Sequence, residues 1–485
     1  MTGSDPLPLR RVAITLVAAL GLVLAVAPAA AQQNDESAPP AADERPATPA
    51  QQMARWFQQA AEAYAAEDHE RWVEALENLH RMRPFNYDFM RQLVMGYALT
   101  GQTARAFDMM LRMQQQGLAE DWDAIEEVET LRQYPLYEHL RDLMKQAGEP
   151  GGAAQPVWTI NAEHAMPEAL AHDADSGRVF IGTVRDGRIL VRASDDAEFE
   201  LFASPEDTPG LMGVFDLLVD EERGHLWVAT ASAGPYRGVS PSNQGRTALL
   251  RLDLDSGEKL GEYGVLPDGV PHMLGAMAQT ADGTLYAADG AAPVIYRWQP
   301  GDARPRPFVV NPSFTSLRGI ALSPDEGKLY VADYELGLFF FELGEQVRGF
   351  AIGVPDSLNL GGIDGLYEWD GHLVAIQNGV TPQRVLRLKL DESGTRVASI
   401  ATVAKALPEF DNPTWGTMAG DSLLFLAASH WHRVGPDGRP VEPPLPDVPL
   451  MRARIDRAQS VVLGEEMLEE FKRRQEGALR DDEPN

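Results

Sequence analysis

No cysteine occurs among the 485 residues. That excludes a disulfide framework, a thiolate nucleophile, a thiolate zinc site and an acylated-cysteine anchor. Positive charge is scarce as well: 42 Lys and Arg stand against 72 Asp and Glu, for a formal net charge of −30. Nucleic-acid affinity rests on Lys and Arg neutralising phosphates, so the balance argues against a nucleic-acid partner and against docking on anionic lipid. It suits cation binding or plain solubility. Long apolar runs are missing but for Val12–Ala27, whose 16 residues fall short of the roughly 20 that a spanning helix needs. Arg10 and Arg11 precede that run and Ala29-Ala30-Ala31 follows it, so residues 1–31 read as a secretory signal cleaved before Gln32. The expected protein is periplasmic or secreted, with no membrane association after cleavage. Also absent are a Gly-x-Ser-x-Gly elbow, a phosphate-binding Gly-Lys-Ser/Thr loop and a His-Glu-x-x-His helix, which removes the motifs of serine hydrolases, nucleotide hydrolases and zinc peptidases.

What is present divides into segments. Residues 32–50 are polar and rich in Pro and Ala, too poor in apolar area to offset ordering entropy, and read as a linker. Over 51–147 glycines are few and apolar residues recur at spacings of three and four, which predicts helices. Leu93, Tyr97 and Ala98, the break at Gly101, then Ala106, Met110 and Met113 make a helix pair similar to a tetratricopeptide repeat. A weaker copy sets Trp56, Ala60 and Tyr64 against Trp72, Leu76 and Leu79, and a third, partial pair is expected from Asp121 to Met144. Such a module serves either as a groove for a protein partner or as packing for the next domain.

After Gly151-Gly152 the period changes. Short apolar runs alternate with Asp-Gly, Ser-Gly and Pro-Asp turns, and one motif recurs from Gly177, Gly224, Gly283, Gly327, Gly371 and, degenerate, Ser422. Strand-turn-strand units at spacings of 44 to 59 residues are blades of a propeller. The expected fold is thus multidomain: an α-helical, tetratricopeptide-like module followed by an all-β six-bladed propeller over 155–456. Leu450–Ile455 is expected to help close the last blade, 457–476 to form an amphipathic helix, and 477–485 an acidic tail. In such blades, loops that enter first strands and loops that leave second strands share one face. That face collects Glu168, Asp216, His272, Arg318, Asp364 and Trp415 with Arg185, Asp289, Asp333, Tyr334, Gln377, Asn378, His430, Trp431 and His432.

The stretch Ile363-Asp364-Gly365-Leu366-Tyr367 through Ala375-Ile376-Gln377-Asn378-Gly379, with Pro167-Glu168-Ala169-Leu170 and Arg318-Gly319-Ile320, resembles the senescence-marker-protein/gluconolactonase/luciferin-regenerating-enzyme family. The resemblance implies one divalent cation, calcium foremost, held near the central channel by a Glu, an Asn and an Asp. Glu168 and Asp364 match the two acids. The Asn position falls on Arg318, and a second family Asn falls near Gly275. Arg has donors and no acceptor, so it cannot ligate a cation.

Two readings stand. In one, Glu168 and Asp364 hold a cation that assists hydrolysis of a lactone or ester, with Asn378 as a substitute ligand and Asp333 or His272 as general base. In the other, Arg318 replaces the cation and pairs with Glu168 and Asp364, hydrolysis is lost, and the funnel is either a closed polar plug or a loop face that binds a small ligand or a protein partner through Arg318, Tyr334, Gln377, Asn378, His430 and Trp431. Two smaller features have the same double character. His430 and His432 would share one side of a strand as a soft metal pair, or belong to a loop rim around Trp431. Arg384 either braces the fifth-blade loop or reaches a carboxylated ligand.

Overall fold

The computed structural model describes residues 47–161, 164, 166–435 and 438–462. The expected signal, most of the linker and residues 463–485 lie outside the described residues.

Five α-helices come first: α1 (Pro49–Ala65), α2 (His69–Met82), α3 (Tyr87–Leu99), α4 (Thr103–Gln115) and α5 (Pro135–Ala147). Their starts are written in the sequence. Thr48 and Gln51 form a capping box around Pro49, so the helix begins just inside the expected linker. Asp68 caps α2 and Asn86 caps α3. The expected faces pack as two helix pairs, with the Tyr64 and Trp72 rings 4.8 Å apart, and Leu76, Leu79, Leu93, Met110 and Met113 buried in one core.

The third pair differs from expectation. Instead of a first helix, the chain makes two 3₁₀ turns, Trp122–Ala124 and Glu126–Leu131, before α5. Trp122, Ile125, Val128 and Leu131 recur at a strict spacing of three, the 3₁₀ repeat, and all four are buried. They join the core around α3, and Tyr64 of α1 reaches Glu127. Each buried apolar side chain contributes roughly 1.5–3 kcal/mol. The segment thus packs on α3, the first helix of the second pair, and touches α1 through Tyr64.

Six antiparallel sheets follow, each with at least four strands, and together they form the six-bladed propeller. The second strand of each blade is almost wholly buried, as in Val179–Thr183 or Leu285–Asp289, because neighbouring blades cover both its faces. The ring closes by joining distant parts of the chain. Val448–Arg454 is the third strand of the sixth blade, and the outermost is Ala154–Ile160, from ahead of the first blade. The fifth blade gains Gly151–Gly152 and Ser460–Val462 beside its outer strand, Val397–Lys405. Ser460–Val462 lies where the C-terminal helix was expected to have begun. There the backbone pairs with the edge of the sheet instead.

The helical module docks on the fourth and fifth blades. Val380 of the propeller enters the helical core. Asn359, fully buried, donates to Phe85 O at 3.0 Å and to Gln116 Oε1 at 3.2 Å, and Ala119 N–H donates to Thr381 O at 2.7 Å.

Candidate functional site

The innermost strands of five blades share one irregularity. Pairing with the second strand skips Glu168 in the first blade, Phe215 in the second, Gly275 and Ala276 in the third, Arg318 and Gly319 in the fourth, and Asp364 in the fifth. A bulge leaves its extra residue unpaired and re-aims its side chain. Glu168, Gly275, Arg318 and Asp364 are therefore equivalent positions on different blades, and three of them have ionisable side chains.

Glu168 and Asp364 do meet. Thr414 Oγ1 lies 2.8 Å from Asp364 Oδ2 and 3.4 Å from Glu168 Oε2, and Ser429 Oγ donates to Glu168 Oε1 at 2.8 Å. Glu168 is 2% exposed. Burial, then the charge of Asp364, pushes its carboxyl up to about 8, against the opposing pull of Ser429, Trp431 and Arg318. The Thr414 hydroxyl has a single proton. Donated over the short contact to Asp364, it leaves the Thr414 oxygen to accept from a protonated Glu168.

Asn378 is fixed by its neighbours. Its amide nitrogen donates to Asp364 Oδ2 and to Pro413 O, both at 3.0 Å, while its oxygen accepts from the Tyr334 hydroxyl at 2.8 Å. Arg318 Nε donates to Ser316 Oγ at 3.0 Å and lies 3.8 Å from Asp364 Oδ1, and the guanidinium carbon sits 5.9 Å from the centre of the Tyr334 ring. Trp431 stacks on Phe215, ring centres 6.4 Å apart, and is 37% exposed. Arg318, Tyr334, Asn378 and Trp431 thus gather with the two acids at one mouth of the central channel.

This donor set does not fit a hard cation, which asks for six or more oxygens. The carboxylates already accept from Ser429, Thr414 and Asn378, the Asn378 oxygen is taken by Tyr334, and Arg318 brings a positive charge to the same place. Among the described residues no three His, Asp or Glu side chains come together at metal-binding spacing. Glu168 and Asp364 are instead bridged by the Thr414 hydroxyl.

Other expected site residues lie elsewhere or have other work. Asp333 is fully buried at the end of its strand and accepts from Thr315 N, Ser316 N, Thr315 Oγ1, Glu335 N and Leu336 N. It clamps its own loop and offers no lone pair to a substrate. His272 lies in the third blade, with Nδ1 2.7 Å from Asp289 and Nε2 3.1 Å from Asp268. The bond to Asp289, foremost, raises its pKa, and both ring nitrogens are engaged by these acids, so His272 is no free base at this mouth. Gln377 sits at the strand position of Asp289 and Asp333, but faces the helical module. It donates to Asn359 O and Gly361 O and accepts from Arg384 Nε at 2.6 Å.

The two histidines do not pair. Trp431–Arg433 is a 3₁₀ turn, so residues two apart point differently. His432 approaches Asn412 and Asp411. His430 is buried with its pKa lowered to about 4, chiefly by burial. Arg384 braces, as one reading held: Nη1 donates to Gln116 O at 3.0 Å.

Three contributors escaped the sequence reading. Thr414 and Ser429 hold the acids, and Phe215 supports Trp431. Their signal was positional. Phe215 has the bulge position of Glu168, and Thr414 immediately precedes Trp415, already placed on this face.

No protein-family model matches the chain, and no curated protein is similar to it by sequence. Solved structures do resemble it. Aldose sugar dehydrogenase from Streptomyces coelicolor, bound to PQQ, is 17% identical with a TM-score of 0.44, covering 63% of this chain and 100% of that one. A luciferin-regenerating enzyme is 13% identical with a TM-score of 0.45, covering 64% and 98%. A structural-genomics target provisionally named a gluconolactonase is 14% identical with a TM-score of 0.42, covering 65% and 94%.

Proposed function

We propose that this chain is an exported binding protein whose channel mouth takes a small carboxylate with a flat or cyclic body. One observation carries the reading: Arg318 is held at Nε by Ser316 and against Tyr334, one third of its side chain is exposed, and among the described residues neither terminal nitrogen has a hydrogen-bond partner. A guanidinium fixed along one edge offers the other as a planar fork, the geometry that receives a carboxylate bidentately. The protonated state of Glu168 favours this, since it leaves Arg318 facing the single charge of Asp364. The exposed part of Trp431 supplies a surface for an apolar ring. Export rests on Arg10, Arg11, Val12–Ala27 and the Ala29–Ala31 cleavage pattern.

Benzoate, which combines a carboxylate with a ring, is the probe, and benzamide its uncharged control. Calorimetric titration at pH 7 is expected to give heat with benzoate, none with benzamide, and none with benzoate in Arg318→Gln. Binding of both compounds alike, or turnover of a lactone or ester that depends on added calcium, overturns the proposal.

A further inference from the structure

We propose that the turn between α2 and α3, Arg83–Asn86, is a positioning element for the channel mouth, so that the helical module sets the ligand affinity of the propeller. The inference rests on the carboxylate-binding reading above.

The turn touches the loops that carry the mouth residues. Asn86 does two things: its oxygen caps α3 by accepting from Phe89 N at 3.0 Å, and its amide nitrogen donates to Glu335 Oε2 at 3.1 Å. Glu335 follows Tyr334 directly. Burial raises the Glu335 pKa; Asn86 and Arg83 oppose this, and Asp333 and Asp88 add to it. Phe85 is wedged between two loops that glycine keeps open. A Cβ at Gly337 would lie 3.0 Å from the Phe85 ring, and one at Gly361 2.7 Å from the Phe85 Cβ.

Hydrogen bonds run from there to the site. Asn359 donates to Phe85 O and accepts from Gly361 N at 2.9 Å. Gly362 N donates to Tyr334 O at 2.6 Å, and Asn378 N to Gly362 O at 2.9 Å. The Tyr334 hydroxyl then reaches Asn378, and Asn378 reaches Asp364. The loops bearing Tyr334, Asp364 and Asn378 are bonded to one another, and two of them rest on the same turn of the helical module. A shift of that turn moves Tyr334, and with it the surface against which Arg318 lies.

Asn86→Asp separates positioning from folding. Asp caps a helix as well as Asn does, but it replaces the donor toward Glu335 with a second carboxylate. In the full-length protein, hydrogen exchange at residues 334–337 and 360–364 is expected to accelerate, and benzoate binding to weaken about five- to tenfold, with the melting temperature little changed. Adding Glu335→Gln restores both, because the new amide donates to the carboxylate at position 86. The inference is overturned if Asn86→Asp leaves exchange and affinity at their native values, or if the second substitution restores neither. Should the native chain not bind benzoate at all, the ligand reading fails by itself, and the exchange rates, with or without rescue, still decide whether the turn positions the loops.

Discussion

Arg384 and Lys405 face each other across the register of the third and fourth strands of the fifth blade, and each closes the C-terminus of a different helix. Arg384 reaches Gln116 O at the end of α4, and Lys405 Nζ reaches Ala147 O at the end of α5 at 2.6 Å. Like charges directly opposed on a sheet are unfavourable. Here the partial negative charge of two helix ends offsets the repulsion. Helix dipoles thus act as counter-ions for propeller cations, which gives the docking its orientation.

Removal of the Arg384 side chain leaves Gln377 Oε1 and Gln116 O buried without that donor. Each orphaned acceptor costs about 1–3 kcal/mol. Arg384→Leu should therefore lower the urea unfolding free energy by roughly 2–6 kcal/mol, while Lys405→Met, nearer solvent, should cost below about 1 kcal/mol. Equal losses for the two variants would refute the assignment of Arg384 as the buried brace.

The pH dependence of stability follows from Glu168. Its carboxyl rises from 4.5 when free to about 8 in the fold, mainly by burial and next by the charge of Asp364. The folded state holds this proton more tightly, so the stabilisation is fully present below about pH 4.5 and is lost as pH climbs through 8. Asp216, pushed up to about 8 by burial, and His272, raised by Asp289, act with the same sign. Below about pH 6.5 His80 and His430, lowered to about 4 chiefly by burial, act with the opposite sign; the melting temperature should therefore fall from pH 7 to pH 8.5, and Glu168→Gln, which keeps a donor toward Thr414, should flatten part of that slope. An unchanged slope in the variant would remove Glu168 as its source.

Much of this was legible in the residues. The recurring Gly-led motif gave the six blades, since a hairpin turn and a buried strand repeat there, and the loop sorting brought Glu168, Asp364, Asn378, Tyr334, Arg318 and Trp431 to one face. Two things were hidden. The strict spacing of three at Trp122, Ile125, Val128 and Leu131 resembles an irregular helix until its burial is known. The occupation of Asp333 and Gln377 was also hidden, because a loop clamp and a site ligand are the same residue type at the same strand end. Only the count of hydrogen bonds separates them, and that depends on backbone amides brought in by loops whose conformation no local pattern fixes.

Arg318 should exclude metal from the mouth. Its guanidinium lies 3.8 Å from Asp364 Oδ1, and a divalent cation at that oxygen would meet strong like-charge repulsion. Calcium and zinc titrations of the native chain are expected to give no saturable heat and no rise in melting temperature. In Arg318→Asn the charge that helps hold Glu168 down is gone, so the Glu168 midpoint, read from the pH slope, should move upward. Saturable calcium binding to the native chain, abolished by Asp364→Ala, would restore the metal reading.

Thr414 decides where the shared proton lies. If its hydroxyl donates to Asp364 and accepts from Glu168, Thr414→Val deprives the neutral form of Glu168 of its acceptor, and the Glu168 midpoint should fall. If the hydroxyl instead donates to Glu168, the same substitution deprives the ionised form, and the midpoint should rise. The 2.8 Å and 3.4 Å contacts favour the first arrangement, because a hydroxyl proton follows its shorter bond. Thr414→Ser keeps the hydroxyl and should behave as the native chain. Thr414→Val should also cost about 1–3 kcal/mol in urea unfolding through the group left unpaired. Carbonyl-stretch infrared titration of Glu168, assigned by its loss in Glu168→Gln, reads the direction directly, and an upward shift in Thr414→Val overturns the proposed sharing.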